Sequence, residues 1–510
     1  MLREPQMSKS QTIPGPRTGA SLLLRFVFPS VLGLIALSWL LLVLIASLNY
    51  PGSRFLFLLF VTAYTLMAAL AFPKPRLYGY TSLAAFLFLG FCAKSVAYLG
   101  LGIALIEPTG SFDGSGHAWD SALLPAIAGS GAVIAIRSLH VIVFRRQRKA
   151  ASPLGLPPPR WYSRLRMPVL AVSVGGLVTL NVLNLIFGFS QIGVSPRALP
   201  AHLSVFVEWL FVAGMAMWAA TLFGWEVQLS SARFGPLLLV PFTEAVASVS
   251  TLSRAAYLFR ALSYLLVAAE YPAFVRARLA RHWQVLFLVL LLVGFAVHLA
   301  GASVLRVAIY PHNYRIPVAG PAPTVTPPAV SAPAQATDTR LRLAAGQLSS
   351  LVVGRWIGIE GTMAVSSHPG LSIYVFQRAL RESPTVGESA LYQGIAGSYR
   401  TPNGFVFLTT PGAIAVLDYS GSLPAVAVGM AFLTALLISF EIAASRLLGN
   451  AFTLSLVAVN LANAIAQMQF PYVFLVFLIE QAVAVAALAL ISRIIWTGKS
   501  PIHQSAQPSE

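Results

Sequence analysis

The sequence predicts an all-α, polytopic membrane protein with about 12 transmembrane helices. The first indication is composition, because 57% of the 510 residues are hydrophobic and only 10% are charged, whereas soluble domains are about 25% charged. The second is that long apolar runs recur along the chain, and a run of about 18 or more apolar residues is typical of a transmembrane helix. The third is the distribution of positive charge between the runs, which predicts their orientation.

The apolar runs define the predicted spans. They occupy 26–48, 54–72, 81–104, 121–143, 168–189, 203–223, 235–251, 255–270, 284–304, 421–442, 450–468 and 472–493. The seventh and eighth runs are short for a hydrocarbon core about 30 Å thick. We therefore expect these two to be tilted or to enter the membrane only partly.

Basic residues fall in alternate connections between the runs, and the strongest cluster is Arg145–Lys149. Connections rich in lysine and arginine face the cytoplasm in membrane proteins. We therefore expect both termini to be cytoplasmic, in a multi-pass protein of the bacterial inner membrane whose first run is a signal-anchor. This orientation accounts for the net charge of +18 without a nucleic-acid partner, and it makes the lipid bilayer a partner.

The chain divides into a cytoplasmic tail at 1–25, spans one to nine at 26–304, a large outer loop at 305–420, spans ten to twelve at 421–493 and a second tail at 494–510. The loop is expected on the periplasmic face, because long loops are translocated largely regardless of charge. It contains a strap rich in proline, alanine and threonine at 317–339. Beyond the strap, apolar residues recur at helical spacing in Leu341–Val353 and Ser372–Glu382.

Ionisable residues interrupt the apolar runs, where they are costly and usually face a cavity or a partner. They are Lys94, Glu208, Glu244, Arg260, His298 and Glu480. Helix rise and the predicted orientation put several of them in the outer half of the membrane, so we expect a polar cavity that opens outward. The alternative is a set of interhelical ion pairs, for example Lys94 with Glu208 or with Glu480.

The outer loop supplies arginines, whose planar fork of donors suits phosphate oxygens. They are Arg340, Arg342, Arg355, Arg378, Arg381 and Arg400. Arg378 and Arg381 occur in a helix-like stretch and are expected to form a solvated surface. Arg355 lies among glycines, which permit close backbone approach, and Glu360 follows five residues later. Neither of these two charges is expected to be buried without a partner or a ligand.

Signatures of metal, nucleotide and thiol chemistry are missing from the sequence. It contains no phosphate-binding GxxxxGK[ST] loop, no HExxH and no pair of carboxylates with divalent-cation spacing. The lone Cys92 lies within an apolar run, which argues against a disulfide framework and a thiolate metal site. We therefore expect no cofactor and no metal. An ATP-driven transporter is not supported, whereas another kind of transporter remains open.

Several short motifs resemble the membrane O-antigen and exopolysaccharide repeat-unit polymerases of the Wzy type. They are Leu89–Lys94, Glu107–Asp113, Trp119-Asp120, Arg355–Gly361, Pro411-Gly412 and Tyr419–Ser422. The span count and the position of the large loop late in the chain are also similar. The resemblance covers most of residues 20–495.

The resemblance implies a GT-C-like membrane glycosyltransferase. Such an enzyme transfers a growing glycan from undecaprenyl pyrophosphate to another lipid-linked repeat unit, at the outer face of the inner membrane. Its substrate is an undecaprenyl-pyrophosphate-linked oligosaccharide, and a chain-length regulator protein is a further expected partner. Because the diphosphate is already a good leaving group, the reaction needs cations and a base rather than a metal.

We accordingly assign roles to the candidate residues. Arg355 is expected to bind the donor pyrophosphate, with Arg254 approaching from the membrane side. Glu360 is the expected general base, or it orients Arg355. Asp120 and His368 are the alternative candidates for the general base. The predicted substrate-binding residues are Lys94, Arg342, Arg400, Asp120 and Arg260.

Two other functions stay open at this point. An O-antigen ligase-type transferase uses the same donor and differs only in its acceptor, so the sequence does not separate it from a polymerase. A lipid-linked oligosaccharide flippase or other transporter predicts functional charges in both halves of the membrane and little role for the outer loop.

Overall fold

The computed structural model describes residues 20–74, 76–103, 105, 107–144, 158–192, 200–229, 242–253, 255–271, 281–313, 356–383, 390–397, 399–400, 406–407 and 409–493. Within these ranges the chain is helical, apart from one antiparallel pair of two-residue strands. Residues 1–19 of the first predicted tail and the whole of the second tail lie outside the described residues, whereas 20–25 belong to the first helix. The strap at 317–339 and the helix-like stretch Leu341–Val353 also lie outside them.

Most of the described helices that precede the long loop overlap predicted runs, and the seventh run, 235–251, is described only from residue 242. The helices are α1 (Ala20–Asn49), α2 (Arg54–Ala69), α3 (Tyr78–Leu101, with a π-helical turn at Phe88–Ala93), α4 (Gly116–Phe144), α5 (Arg160–Arg164), α6 (Arg166–Phe187), α7 (Ala201–Trp209, continuing through a π-helical turn at Leu210–Gly214 into Met215–Leu229), α8 (Ala256–Glu270) and α9 (Arg281–Asn313). A short helix at 242–247 runs into a 3-10 turn at Ser248–Thr251 before α8.

The long loop contributes short elements, and three long helices follow it. The loop elements are α10 (Ile359–Ser366), α11 (Ile373–Arg381), α12 (Leu391–Ala396), the strands β1 (Tyr399–Arg400) and β2 (Val406–Phe407), and α13 (Ala413–Asp418). The helices after the loop are α14 (Leu423–Leu448), α15 (Ala451–Ala466) and α16 (Pro471–Arg493). Helix α11 confirms the helical spacing of Ser372–Glu382, and Ser372 is its N-cap.

The chain is a multi-pass membrane protein. Among the described helices, seven are long and apolar enough to cross a bilayer, namely α3, α4, α6, α7, α9, α14 and α16. Shorter apolar stretches lie at Gly33–Asn49 within α1, at Arg54–Ala69 and at Ala451–Ala466, where the sequence predicts further spans. Helix α8 has 15 residues, which is about 22 Å at about 1.5 Å per residue and less than a hydrocarbon core of about 30 Å.

The apolar surface of the long helices faces outward. Large hydrophobic side chains of α1, α4, α9 and α14 are exposed along much of each helix, as with Phe432, which is 65% exposed. Contiguous apolar surface on this scale is rare in a soluble monomer. In a bilayer this surface meets lipid, while the backbone groups are satisfied within each helix.

Helix α4 packs along α14, and α3 packs along α15, so these four helices form the centre of the bundle. The largest cluster of buried side chains extends across them and includes aromatic rings of α2 and α3. We call the end of the bundle at which α9 ends and α14 begins the loop end. Chain direction places the C-terminal end of α3 and the N-terminal end of α16 there as well.

Two buried charges hold the turn between α2 and α3, at the opposite end of the bundle. Arg137 of α4 donates to the carbonyls of Leu70 at 3.1 Å and Pro73 at 2.8 Å, at the C-terminal end of α2. Glu441 of α14 accepts from the amides of Tyr78 at 2.7 Å and Gly79 at 2.8 Å, at the N-terminal end of α3. Helix termini in a membrane leave backbone groups that need such partners.

Replacing Glu441 with glutamine tests this helix cap. The amide has one acceptor oxygen, so one of the two buried N–H groups at the start of α3 loses its partner. We expect Glu441→Gln to lower the free energy of unfolding by about 1–3 kcal/mol, measured by thermal unfolding of the purified protein in detergent. The control is Glu270→Gln, which removes a partly exposed ion pair with Arg76 and should cost about 0–1 kcal/mol. Equal losses of unfolding free energy in the two variants would contradict the assignment of Glu441 as the cap of α3.

Candidate functional site

Lys94 lies in α3 directly after the π-helical turn, and its side chain is only 1% exposed. Its Nζ is 2.5 Å from Oε1 of Glu360 and donates to the carbonyl of Trp356 at 2.8 Å. Glu360 stands in the first turn of α10 and is also 1% exposed. A membrane helix and a helix of the long loop are therefore joined by a buried ion pair, which we call the Lys94–Glu360 ion pair.

Glycines bring the two backbones close enough for this pair to form. A Cβ on Gly90 would lie 2.0 Å from the carbonyl oxygen of Ile357, and a Cβ on Gly358 would lie 2.5 Å from the carbonyl carbon of Gly90. Real Cβ atoms do not approach so closely, so neither position accepts a side chain without a shift of the backbone. The π-helical turn of α3 is thus in direct backbone contact with the segment that leads into α10, and π-helical turns are frequent at functional sites.

Helix α10 is buried although it belongs to the long loop. It packs against α4, α12 and α13, and every residue from Ile359 to Val365 is buried. The indole ring of Trp356 stacks on Phe86 of α3, with 6.1 Å between ring centroids. The loop therefore contributes to the interior of the membrane bundle and does not simply cover its surface.

The carboxyl group of Glu360 combines a charged partner with unused acceptor capacity. Burial raises the pKa of Glu360, and Lys94 opposes that rise without cancelling it. Oε2 has no hydrogen-bond partner among the described residues. Raising the pKa of a carboxylate makes it a stronger base, and Oε2 leaves an acceptor site for an incoming proton. This is the chemistry that the arrangement makes available.

Three of the predicted site residues, Arg254, Arg342 and Arg355, lie outside the described residues. Arg355 directly precedes Trp356, whose carbonyl accepts from Lys94. Arg400 lies in β1, where its backbone pairs with Val406 of β2.

The expectations for Lys94 need two corrections. Its ion pair is with Glu360 of the loop, rather than with Glu208 or Glu480 of neighbouring spans. The outward-opening cavity expected around it is also wrong, because Trp356 and α10 cover the side chain. Both corrections have the same cause, since an ammonium group inside an apolar bundle is stabilised by an internal carboxylate when water is excluded.

Arg260 belongs to a second buried ion pair. Its Nη1 is 3.1 Å from Oε1 of Glu244, and its Nη2 donates to the carbonyl of Phe211 at 3.2 Å. That carbonyl lies in the π-helical turn of α7. The geometry therefore gives Arg260 a role in joining α8 to α7.

Asp120 has structural partners. Its Oδ1 accepts from the hydroxyl of Tyr50 at 2.8 Å and from the amide of Ser53 at 3.0 Å, which holds the turn between α1 and α2. His368 lies beyond the C-terminal end of α10, where its backbone amide donates to the carbonyl of Val365 at 2.9 Å.

An apolar groove of about 550 Å³ lies between α6 and α7. Its walls include Trp161, Gly176, Leu210, Gly214 and Trp218. Two of these residues belong to the π-helical turn of α7, whose Phe211 carbonyl holds Arg260. The same π-helical turn of α7 therefore lines the groove and accepts a hydrogen bond from Arg260 of the second buried ion pair.

Sequence reasoning did not consider Asp418, which the structure places close to the C-terminal end of α10. The Oδ2 atom of Asp418 accepts from the hydroxyl of Ser366 at 2.9 Å. Burial raises its pKa to about 6, and its position at the C-terminal end of α13 adds an unfavourable interaction with the helix dipole. The hint in the sequence was its position directly before Tyr419–Ser422.

No known protein family, curated protein or solved structure matches this chain. Among the residues that the structure describes, no three histidine, cysteine, aspartate or glutamate side chains are grouped as a metal ion would require.

The raised pKa of Asp418 predicts a pH-dependent stability. Its folded-state pKa of about 6 exceeds the ordinary value of 3.8, so the folded state binds the proton more tightly and stability falls as pH rises from about 4 to about 6. We expect Asp418→Asn, which keeps an acceptor for Ser366, to be about 1–3 kcal/mol more stable than the wild type above pH 7. Near pH 4 the two proteins should unfold at similar temperatures. Thermal unfolding across this range measures the difference, and a constant offset at every pH would contradict the assignment.

Proposed function

We propose that this protein is a GT-C-like membrane glycosyltransferase that polymerises undecaprenyl-pyrophosphate-linked oligosaccharide repeat units into O-antigen or exopolysaccharide. In this proposal it acts at the outer face of the bacterial inner membrane, with both termini in the cytoplasm and the long loop in the periplasm. The observation that carries the proposal is the Lys94–Glu360 ion pair, because it joins a basic and an acidic group beneath the loop, at the loop end of α3. The motif resemblance supports it.

The proposed reaction uses the two charges in different ways. The acceptor sugar's hydroxyl attacks the anomeric carbon of the donor glycan, a new glycosidic bond forms, and the bond from that carbon to the pyrophosphate breaks. The pyrophosphate leaves with the electron pair, and Lys94 with Arg355 stabilises its charge. The free Oε2 of Glu360 takes the proton of the acceptor hydroxyl.

The Lys94–Glu360 ion pair is proposed to be the resting state of the site, before substrate binds. Both side chains are 1% exposed, so neither meets a substrate until the segment above them moves. A donor pyrophosphate that reaches Lys94 would replace the carboxylate as its counter-ion. The same exchange would release Glu360 to act as a base, so that the base becomes available only when a donor is bound.

Arg355 keeps its proposed role as a pyrophosphate ligand because it is the chain neighbour of Trp356, which contacts Lys94. The groove between α6 and α7 is proposed to accept part of the polyprenyl chain, because its lining is almost entirely apolar and apolar surface is what such a chain buries.

Deleting the gene and analysing the surface polysaccharide tests the class of reaction. The proposal predicts single repeat units in place of long chains. Long chains that remain on the lipid carrier would indicate a ligase, and lipid-linked repeats that accumulate in the cytoplasm would indicate a flippase. Either of these outcomes would overturn the proposal that the protein is a polymerase.

Complementation of the deletion with point variants tests the site. We expect Glu360→Gln to lower the polymerisation rate by about 10²–10⁴-fold per molecule of folded protein, which is the usual contribution of a general base. The matched control is Glu270→Gln, the same chemical change at a partly exposed position at the opposite end of the bundle, and it should produce long polymer. Long polymer from Glu360→Gln at normal abundance would remove this residue from the site.

A further inference from the structure

Helix α11 presents three distinct faces. Val375, Phe376 and Ala379 face inward and pack on the cluster of buried loop residues that includes Tyr419. The opposite side is exposed, and its residues are Ile373, Tyr374, Gln377, Arg378, Leu380 and Arg381. Helical spacing sorts these into an apolar edge of Ile373 and Leu380 and a cationic edge of Arg378 and Arg381, with Tyr374 on the cationic side.

The exposure of this face is large for apolar side chains. Tyr374 is 79% exposed, Ile373 51% and Leu380 42%. A helix whose exposed side carries aromatic and aliphatic residues next to arginines is typical of helices that lie in the headgroup region of a bilayer. Arginine side chains also suit phosphate groups, since their planar donors bind phosphate oxygens in pairs.

The position of α11 supplies the second argument. It packs against α16 as well as α13, and α16 begins at the loop end of the bundle. The first turns of α16 expose Tyr472 and Leu475, which continue the outward apolar surface of the span. Helix α11 therefore adjoins a helix whose outer surface meets lipid, and tyrosines are common at the level of the headgroups.

We propose that α11 is a phospholipid-binding helix, which inserts Ile373 and Leu380 among the acyl chains and binds lipid phosphates through Arg378 and Arg381. Its inward face packs on α13, and α13 packs on α10. Lipid contact at α11 thus holds in place the part of the loop that carries Glu360. The binding is independent of the glycosyl-transfer reaction proposed above.

Site-specific labelling of the full-length protein tests the proposal. The chain has one cysteine, Cys92, and it is buried, so a cysteine introduced at Tyr374 accepts an environment-sensitive fluorophore alone. Tyr374→Cys is labelled and placed in nanodiscs that contain phosphatidylglycerol, with nitroxide lipids as quenchers. We expect a blue-shifted emission and stronger quenching by a nitroxide at the headgroup than by one deep in the acyl chains.

The control is Phe432→Cys, labelled in the same way on the exposed side of α14 within a span. Its fluorophore should be quenched more by the deep nitroxide. A label at position 374 that aqueous iodide quenches, and lipid does not, would overturn the proposal. A label shielded from both quenchers would also overturn it, because a protein partner or a second copy of the chain would then cover the face.

Charge reversal tests the role of the two arginines. Arg378→Glu combined with Arg381→Glu, in the background of the label at position 374, should shift the emission to the red and reduce headgroup quenching in phosphatidylglycerol nanodiscs. Unchanged quenching would contradict phosphate binding by these residues. The readout needs no catalytic activity, so it is separate from the tests of the polymerase.

Discussion

A lysine and a glutamate, both almost completely buried, meet where the long loop enters the membrane bundle. Taking two opposite charges out of water costs several kcal/mol each, and their attraction offsets that cost only when the geometry is good. Here the geometry is set by Nζ of Lys94, which has both a carboxylate oxygen and the Trp356 carbonyl within hydrogen-bonding distance. The position of α10 depends on this contact, because the helix carries one of the charges.

Other features of the bundle serve the same contact. Gly90 and Gly358 let the π-helical turn of α3 touch the chain before α10, so the lysine reaches the first turn of that helix. Helix α13 packs against α10, and α11 packs against α13. At the opposite end of the bundle, Arg137 holds the end of α2 and Glu441 holds the start of α3. Helix α3 is thus held by Glu441 at its start and by the Lys94–Glu360 ion pair towards its loop end.

The sequence contained enough information to predict a multi-pass, helical membrane protein and little to predict the contacts between its helices. Hydropathy and helical spacing are local properties, so they predicted the apolar runs and a helix at Ser372–Glu382. They also singled out Lys94 and Glu360 as unusual residues. They did not reveal that the two meet, because the contact joins segments of chain more than 200 residues apart, as the separation of 262 residues between Lys94 and Trp356 illustrates.

The structural contacts of two predicted site residues have a common physical origin. Asp120 and Arg260 have the residue types of a phosphate or sugar site, and the structure gives them partners in a turn and a neighbouring helix. In a membrane every buried polar group needs a partner, so charged residues are used for structural joints as well as for chemistry. Residue type alone does not distinguish the two uses.

The most direct test of the central contact is a double-mutant cycle on the Lys94–Glu360 ion pair, measured as free energies of unfolding in detergent. Lys94→Met and Glu360→Met each leave one buried charge without its partner, and we expect each to lower stability by about 3–5 kcal/mol. The double variant removes both charges and should recover most of that loss, giving a coupling energy well above about 1 kcal/mol. Losses that simply add in the double variant would show that the two side chains do not interact, and would contradict the docking of α10 on α3.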